Sequence, residues 1–289
     1  MQKSSKKRRL QPPQKQGAQP GREAPMSPHP KYDDPNYKPS GKLRGRNAII
    51  TGGDSGIGRA VAAAFAKEGC NIAIVYYNEH KDAEFTKKLV ENEGQTCILI
   101  PVDIRRESEC KKAVLKAYKA FKKIDIIVNN AAVHYPRENI TKITQKQLEK
   151  TFKTNIFSYF YITKHCMKYL EEGAAIINTA SVTAYRGSER LIDYSATKGA
   201  IVSFTRSLAS SLVTKKIRVN GVAPGPVWTP LIPASFQPEH VAVFGSDVPM
   251  GRAGQPYEIA PCYVFLASED SAYMTGQILH PNGGEIING

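Results

Sequence analysis

The stretch NAIITGGDSGIGRA, residues 47–60, decides the reading of the fold. Its first five residues are a short apolar run closed by glycine, the pattern of a strand buried on both faces. Three glycines follow at the turn, Gly52, Gly56 and Gly58, and an alanine-rich helical pattern begins at once. Glycines at a strand-to-helix turn let the backbone approach a pyrophosphate and aim the helix N-terminus at its charge. The spacing is GxxxGxG, not the commoner GxGxxG. Its weight therefore rests on position, after the first strand and at the start of a helix.

Working outward, apolar runs alternate with amphipathic stretches to the end of the chain. Strands are predicted at 47–51, 71–77, 96–103, 124–130, 174–180, 217–223 and 277–281, and helices at 57–68, 79–93, 107–122, 144–170, 193–213 and 256–267. Continuous Ile/Val strands joined by long helices imply a parallel sheet with helices on both faces. The fold class expected is α/β, a single-domain Rossmann-like doubly wound sheet of seven parallel strands. Ligands of such sheets bind at the carboxyl ends of the strands. The long, proline-rich connection after the sixth strand, residues 224–255, falls there and is expected to be a substrate lid.

The 289 residues divide into a basic Pro/Gln-rich extension, 1–41, and one domain, 42–289. The chain carries a formal net charge of +14, much of it in the extension and the linker behind it. Few large apolar residues stand there, so the segment does not order itself unless another surface receives it. The expected states are a solvated tail or a strap across a subunit. SKKRR, residues 5–9, raises nucleic acid or an anionic membrane surface as partners, but no helix-turn-helix or single-strand-binding pattern follows it. Nucleic acid and membrane are therefore not expected as partners. Gln-Pro-Pro-Gln follows the basic cluster where a secretory signal needs an apolar run, and no stretch is apolar enough to span a membrane.

The five cysteines (Cys70, Cys97, Cys110, Cys166 and Cys262) are scattered and the six histidines form no cluster. No metal is expected, and thiols of this kind suit the reducing cytoplasm.

YSATK, residues 194–198, lies in a helical pattern and puts a phenol and an ammonium one turn apart. Residues at this spacing share a helix face, so Lys198 is expected to lower the pKa of Tyr194 and fit it for proton transfer.

TGGDSGIG (51–58), VDI (102–104), NNAA (129–132), Asn155 in FKTNIFS, Ser181 in NTASV, YSATK and PGPVWTP (224–230) occur in one order. In that order the chain resembles the short-chain dehydrogenase/reductases across residues 42–289. The tail and TGGDSGIGRA are similar to a bacterial subgroup of general-stress and aldehyde-reductase-like members. The resemblance implies an oxidoreductase that moves a hydride between a nicotinamide cofactor and a carbonyl or alcohol. Its catalytic residues would be Asn155, Ser181, Tyr194 and Lys198. Tyr194 would be the acid/base and Ser181 would polarise the substrate oxygen. Lys198 would hold the nicotinamide ribose and tune the phenol, and Asn155 would hold a relay water. Cofactor contacts would come from Thr51, Gly52, Asp54, Ser55, Gly56, Ile57 and Gly58 at the turn, and from Tyr76, Asp103, Ile104, Asn129 and Ala131 along the adenosine. Tyr194, Lys198, Pro224, Gly225, Val227 and Thr229 would meet the nicotinamide end.

Two positions depart from the family pattern. Ala132 replaces a usual glycine in NNAA. Tyr76 stands where an NAD-selective member commonly carries Asp, which tips the expectation from NAD towards NADP. Arg59 and Lys81 are the nearest cations for a 2′-phosphate, and an inward Glu79 would weigh against it. Val182, Tyr185, His134, Tyr135 and Trp228 are the expected pocket residues, suiting an aldehyde, ketone or polyol, with His134 a loop residue. The alternative to an enzyme is a non-catalytic NAD(P)-sensing protein, which the intact Asn-Ser-Tyr-Lys set opposes. The family also implies a homotetramer.

Overall fold

Residues 8–287 are described by a computed structural model. The basic positions Lys3, Lys6 and Lys7 lie outside the described residues. Asn47–Thr51 (β1), Asn71–Tyr76 (β2), Cys97–Pro101 (β3), Ile126–Asn129 (β4), Ala175–Thr179 (β5), Arg218–Val222 (β6) and Ile278–Leu279 (β7) form one seven-stranded sheet, in spatial order 3-2-1-4-5-6-7. Every pairing is parallel. The order reverses between β1 and β4, so the crevice of the sheet opens at the carboxyl end of β1, directly beyond the glycine turn.

Alternate residues of a strand face opposite sides, and β1 shows it. Ile50 packs with Phe65 of α1 (Gly56–Lys67) and with α9 (Pro256–Ala267); Ile49 packs on the other side with Val114 of α3 (Glu107–Phe121) and Ile162. Both layers are therefore built from β1 outward. The remaining helices are α2 (His80–Asn92), α4 (Gln145–Phe152), α5 (Ser158–Cys166), α6 (Thr183–Arg186), α7 (Ile192–Leu212) and α8 (Pro238–Ala242).

The helix expected over 144–170 is not continuous. Lys153–Phe157 widens into a π-turn between α4 and α5, because the Asn155 side chain is drawn onto the backbone of Val133. Such a turn inside a helix commonly marks a functional site. The two short helices α6 and α8 sit in stretches read as connections.

The extension is received by its own domain. Leu10 N donates to Ala242 O at 2.7 Å, Gln16 N to Pro233 O at 2.7 Å, and the Trp228 indole to Pro28 O at 2.9 Å. Met26, 2 % exposed, enters a cluster with Leu191, Trp228, Ile232, Phe236 and Val241. Glu23 is buried between the glycine turn and α2. A segment with so little apolar surface is held because others bring the core to it.

Candidate active site

The glycine turn leaves β1 with Gly52 at φ +64°, a conformation an L side chain adopts only with strain. At Gly58 a Cβ would stand 1.9 Å from Gly52 O, so helix and turn meet at backbone contact. The turn borders a cavity of about 790 Å³ that runs from Asp54 and Tyr76 at one end to Tyr194 and Lys198 at the other. Gly52, Ser55, Gly56, Ile57, Asp103, Ile104 and Ala131 face it, as do Ser181, Pro224, Gly225, Val227 and Thr229.

Four expected site residues do not line it. Thr51 ties the ends of β1 and β4 together, its Oγ1 accepting from Asn130 N at 2.9 Å and Ala131 N at 3.1 Å. Asn129 is fully buried behind the cavity, its amide donating to Asn178 Oδ1 and Thr163 Oγ1. Gly58 is occupied by the close approach to Gly52. Asn155 spends its amide oxygen on Val133 N (2.8 Å) and both amide hydrogens on Val133 O (2.9 Å) and Thr197 Oγ1 (3.1 Å). These bonds tie the loop after β4 to α7. Trp228 is likewise no pocket residue, being fully buried beneath the extension. Tyr135 and Tyr185 also lie outside the cavity, whereas Val182 and His134 line it.

Ser181 follows β5, and Tyr194 and Lys198 project from α7. Ser181 Oγ accepts from Thr183 N and Oγ1, both at 3.2 Å, and lies on the same cavity wall as Tyr194. Lys198 Nζ lies 5.4 Å from the Tyr194 ring centre and donates to Thr179 O at 2.7 Å. Here the structure corrects the expectation that Lys198 depresses the phenol. Burial governs both groups: it pushes Tyr194 up to about 12, against a smaller pull from Ser181, and pulls Lys198 down to about 7.

The other end of the cavity is acidic. Glu79 turns inward, 4 % exposed, and Asp54 lies near it; burial first and the Glu79 charge second push Asp54 up to about 7. Arg59 is not free for a phosphate. Its guanidinium meets Glu23 Oε1 at 2.5 Å, Asp82 Oδ1 at 3.3 Å and Asp54 O at 2.8 Å, and is 4 % exposed. Arg105 faces the cavity but forks onto Asp103 through two contacts of 2.7 Å, which also hold the Asp103 carboxyl below its ordinary range. Lys81 is exposed away from the cavity.

The extension forms part of the cavity wall, a role absent from the site residues expected above. Gln19, Pro20 and Gly21 line the cavity, and a Cβ at Gly21 would stand 2.3 Å from Pro230 O of the connection after β6. The Pro-Gly pair at 20–21 was the available signal, since such pairs mark tight backbone approach.

The family model described as enoyl-(acyl carrier protein) reductase matches residues 52–285. The chain is a short-chain dehydrogenase/reductase. General stress protein 39 of Bacillus subtilis is 58 % identical over 276 residues, 96 % of each chain. The Arabidopsis thaliana NADPH-dependent aldehyde reductase 1, chloroplastic, is 54 % identical over 282 residues, covering 95 % of this chain and 98 % of the relative. Among solved structures, a short-chain dehydrogenase from Burkholderia cenocepacia in complex with NADP superposes with a TM-score of 0.79 at 28 % identity, over 84 % of this chain and 98 % of that one. This short-chain dehydrogenase/reductase is thus an oxidoreductase of the class that works with NADP or NAD. No helix among the described residues is long and apolar enough to cross a membrane.

Proposed function

We propose that the chain reduces aldehydes or ketones, or oxidises the corresponding alcohols and polyols, with Tyr194 as the proton donor and acceptor. The observation that carries the reading is one cavity that borders the glycine turn at one end and Ser181, Tyr194 and Lys198 at the other. The backbone at Gly52, Ser55, Gly56 and Ile57 would hold a pyrophosphate, Asp103 and Ile104 the adenine, and Ala131 the adenosine ribose. Lys198 would take the nicotinamide ribose, with Pro224, Gly225, Val227 and Thr229 against the nicotinamide. The cofactor would supply the hydride.

The chain's own residues supply the rest. With its phenol pushed up to about 12, Tyr194 carries its proton at neutral pH and presents it to a carbonyl oxygen. Ser181, on the same cavity wall, would share that oxygen and stabilise charge developing there. Lys198 holds a proton loosely beside them, which suits it to neutralise the phenolate left behind. Asn155 positions α7 against the Val133 loop. The Asn-Ser-Tyr-Lys set gives a sensor without turnover no purpose for its buried proton donor.

The acidic Asp54/Glu79 corner and the committed Arg59 favour NAD from this chain's side, whereas the relative named for NADPH favours NADP. Side-by-side titration of both cofactors by calorimetry decides between them. The same reading takes residues 1–41 as an extension on a 42–289 catalytic domain, working in the cytoplasm as a homotetramer. Exposed Phe157 and Phe160 on the α5 side are the surface such assembly would cover. Light scattering at micromolar concentration would return four chain masses, and one mass would refute it. The test of the chemistry is Tyr194→Phe, which should lower kcat on a reducible aldehyde by about 10²–10⁴-fold. Unchanged turnover would refute the assignment.

A further inference from the structure

The adenosine end of the cavity is acidic, and the cations of the domain nearest to it are engaged elsewhere. Asp54 and Glu79 line it, Arg59 is locked among Glu23, Asp82 and the Asp54 carbonyl, Arg105 forks onto Asp103, and Lys81 lies outside the cavity. The extension brings another cation to this end. Arg22 stands between Gly21, which lines the cavity, and Glu23, whose Oε2 accepts from Gly56 N of the glycine turn at 2.9 Å. With both neighbours fastened there, Arg22 is held at the rim beside the N-terminus of α1.

Its backbone is fixed and its side chain is not committed. Gln16 clasps Arg22 twice, its Oε1 accepting from Arg22 N and its Nε2 donating to Arg22 O, each at 2.7 Å. Gly21 presses on Pro230, which also meets the glycine turn, a Cβ at Gly56 standing 3.5 Å from Pro230 Cδ. On the other side Glu23 N donates to Asp82 Oδ2 of α2 at 2.9 Å. The Arg22 side chain is exposed, and among the described residues no hydrogen bond or ion pair holds its guanidinium. Its charge nevertheless reaches the adenosine end: burial raises the Glu79 carboxyl, and Arg22 is among the groups that draw it back. A guanidinium carried on a pinned backbone presents a planar fork that matches the oxygens of a phosphate.

We propose that Arg22, supplied by the extension, binds the 2′-phosphate of NADP, so that a residue outside the dinucleotide-binding sheet sets the cofactor preference. The inference rests on the reading of this cavity as the cofactor site and adds the residue that decides between the two cofactors. Without Arg22, the Asp54 and Glu79 carboxylates would repel a 2′-phosphate and suit the bare ribose hydroxyls of NAD. With it, the added phosphate meets a guanidinium that has no other partner. The N-terminal segment is then part of the cofactor site itself.

The test is calorimetry on the full-length chain with NADP against NAD, and with adenosine 2′,5′-bisphosphate against adenosine 5′-phosphate, the second pair isolating the 2′-phosphate. The wild type should bind the 2′-phosphorylated member of each pair at least about tenfold more tightly, by a margin that shrinks as salt rises. Arg22→Ala should remove most of that margin by weakening the 2′-phosphorylated ligands alone, and Arg22→Lys, which keeps the charge without the fork, should retain part of it. Because Gln16 holds the Arg22 backbone, the melting temperature of Arg22→Ala should stay within about a degree of wild type. A residue that merely fastens the extension would weaken both members of each pair alike and lower the melting temperature, and that result would overturn the inference. So would a wild type that binds the two members equally or prefers the one without the phosphate, and so would a margin left intact in Arg22→Ala. Failure of all these ligands to bind would strike at the nucleotide reading of the glycine turn and remove this inference with it.

Discussion

Glu23→Ala should destabilise the protein by about 3 kcal/mol. Both oxygens of this carboxylate are engaged, Oε1 with Arg59 Nη1 at 2.5 Å and Oε2 with Gly56 N at 2.9 Å, and both side chains of the ion pair are 4 % exposed. Burial raises the carboxyl above its ordinary range and Arg59 pulls it back, so the net worth of the intact pair is small. Cutting one end is another matter. It strands the Arg59 charge in the interior, a loss that commonly reaches about 3–5 kcal/mol. Arg59 keeps Asp82, Thr86 and the Asp54 carbonyl, which places the expected cost at the lower end. For a domain of this size the melting temperature should fall by about 6–12 °C. Circular dichroism in low and moderate salt reads it, and the loss should persist in salt because a buried pair is weakly screened. Replacing both Glu23 and Arg59 with methionine should recover part of the loss. A melting temperature for Glu23→Ala within about a degree of wild type would refute the reasoning, because it would mean that water reaches Arg59 and the extension is not docked.

Gly58→Ala should abolish cofactor binding in calorimetry, since the added carbon stands 1.9 Å from Gly52 O and the turn must move; retained affinity would count against the close approach. Asp54, with its carboxyl raised to about 7, is mostly neutral below that pH and anionic above it. NADP affinity relative to NAD should therefore fall as pH rises from 6 to 8, and Asp54→Asn should flatten the change. The same raised pKa makes Asp54 favour the fold most in acid and progressively less as pH climbs from 4 towards 7 and beyond, so thermal melts of Asp54→Asn should show a weaker decline over that window.

The central strands were legible because β1, β2 and β4 are nearly continuous apolar runs, and β1 matched its predicted limits residue for residue. The i,i+4 spacing of Tyr194 and Lys198 likewise announced a shared face. Their protonation did not follow from that spacing. It depends on how deeply His134, Phe236 and the lid cover the two groups, which arises from segments distant in sequence. The break at Asn155 was hidden for the same reason, since the pull that widens the helix comes from Val133 on another loop. The extension was misjudged by composition alone: one methionine, one glutamate and a few backbone carbonyls fasten it, and each depends on a receiver elsewhere. Glu79 was weighed only as a conditional, and its inward turn decides the character of the adenosine end.

The docking of the extension also sets an order of events during synthesis. Leu10, Gln16, Pro28 and Lys31 leave the ribosome well before their receivers, Ala242, Pro233, Trp228 and Gln255. This segment therefore waits, undocked, until residues 228–255 have emerged, although domains in general begin to fold from their N-terminal side. A chain truncated before residue 228 would leave this segment without its receivers, loose and open to proteases.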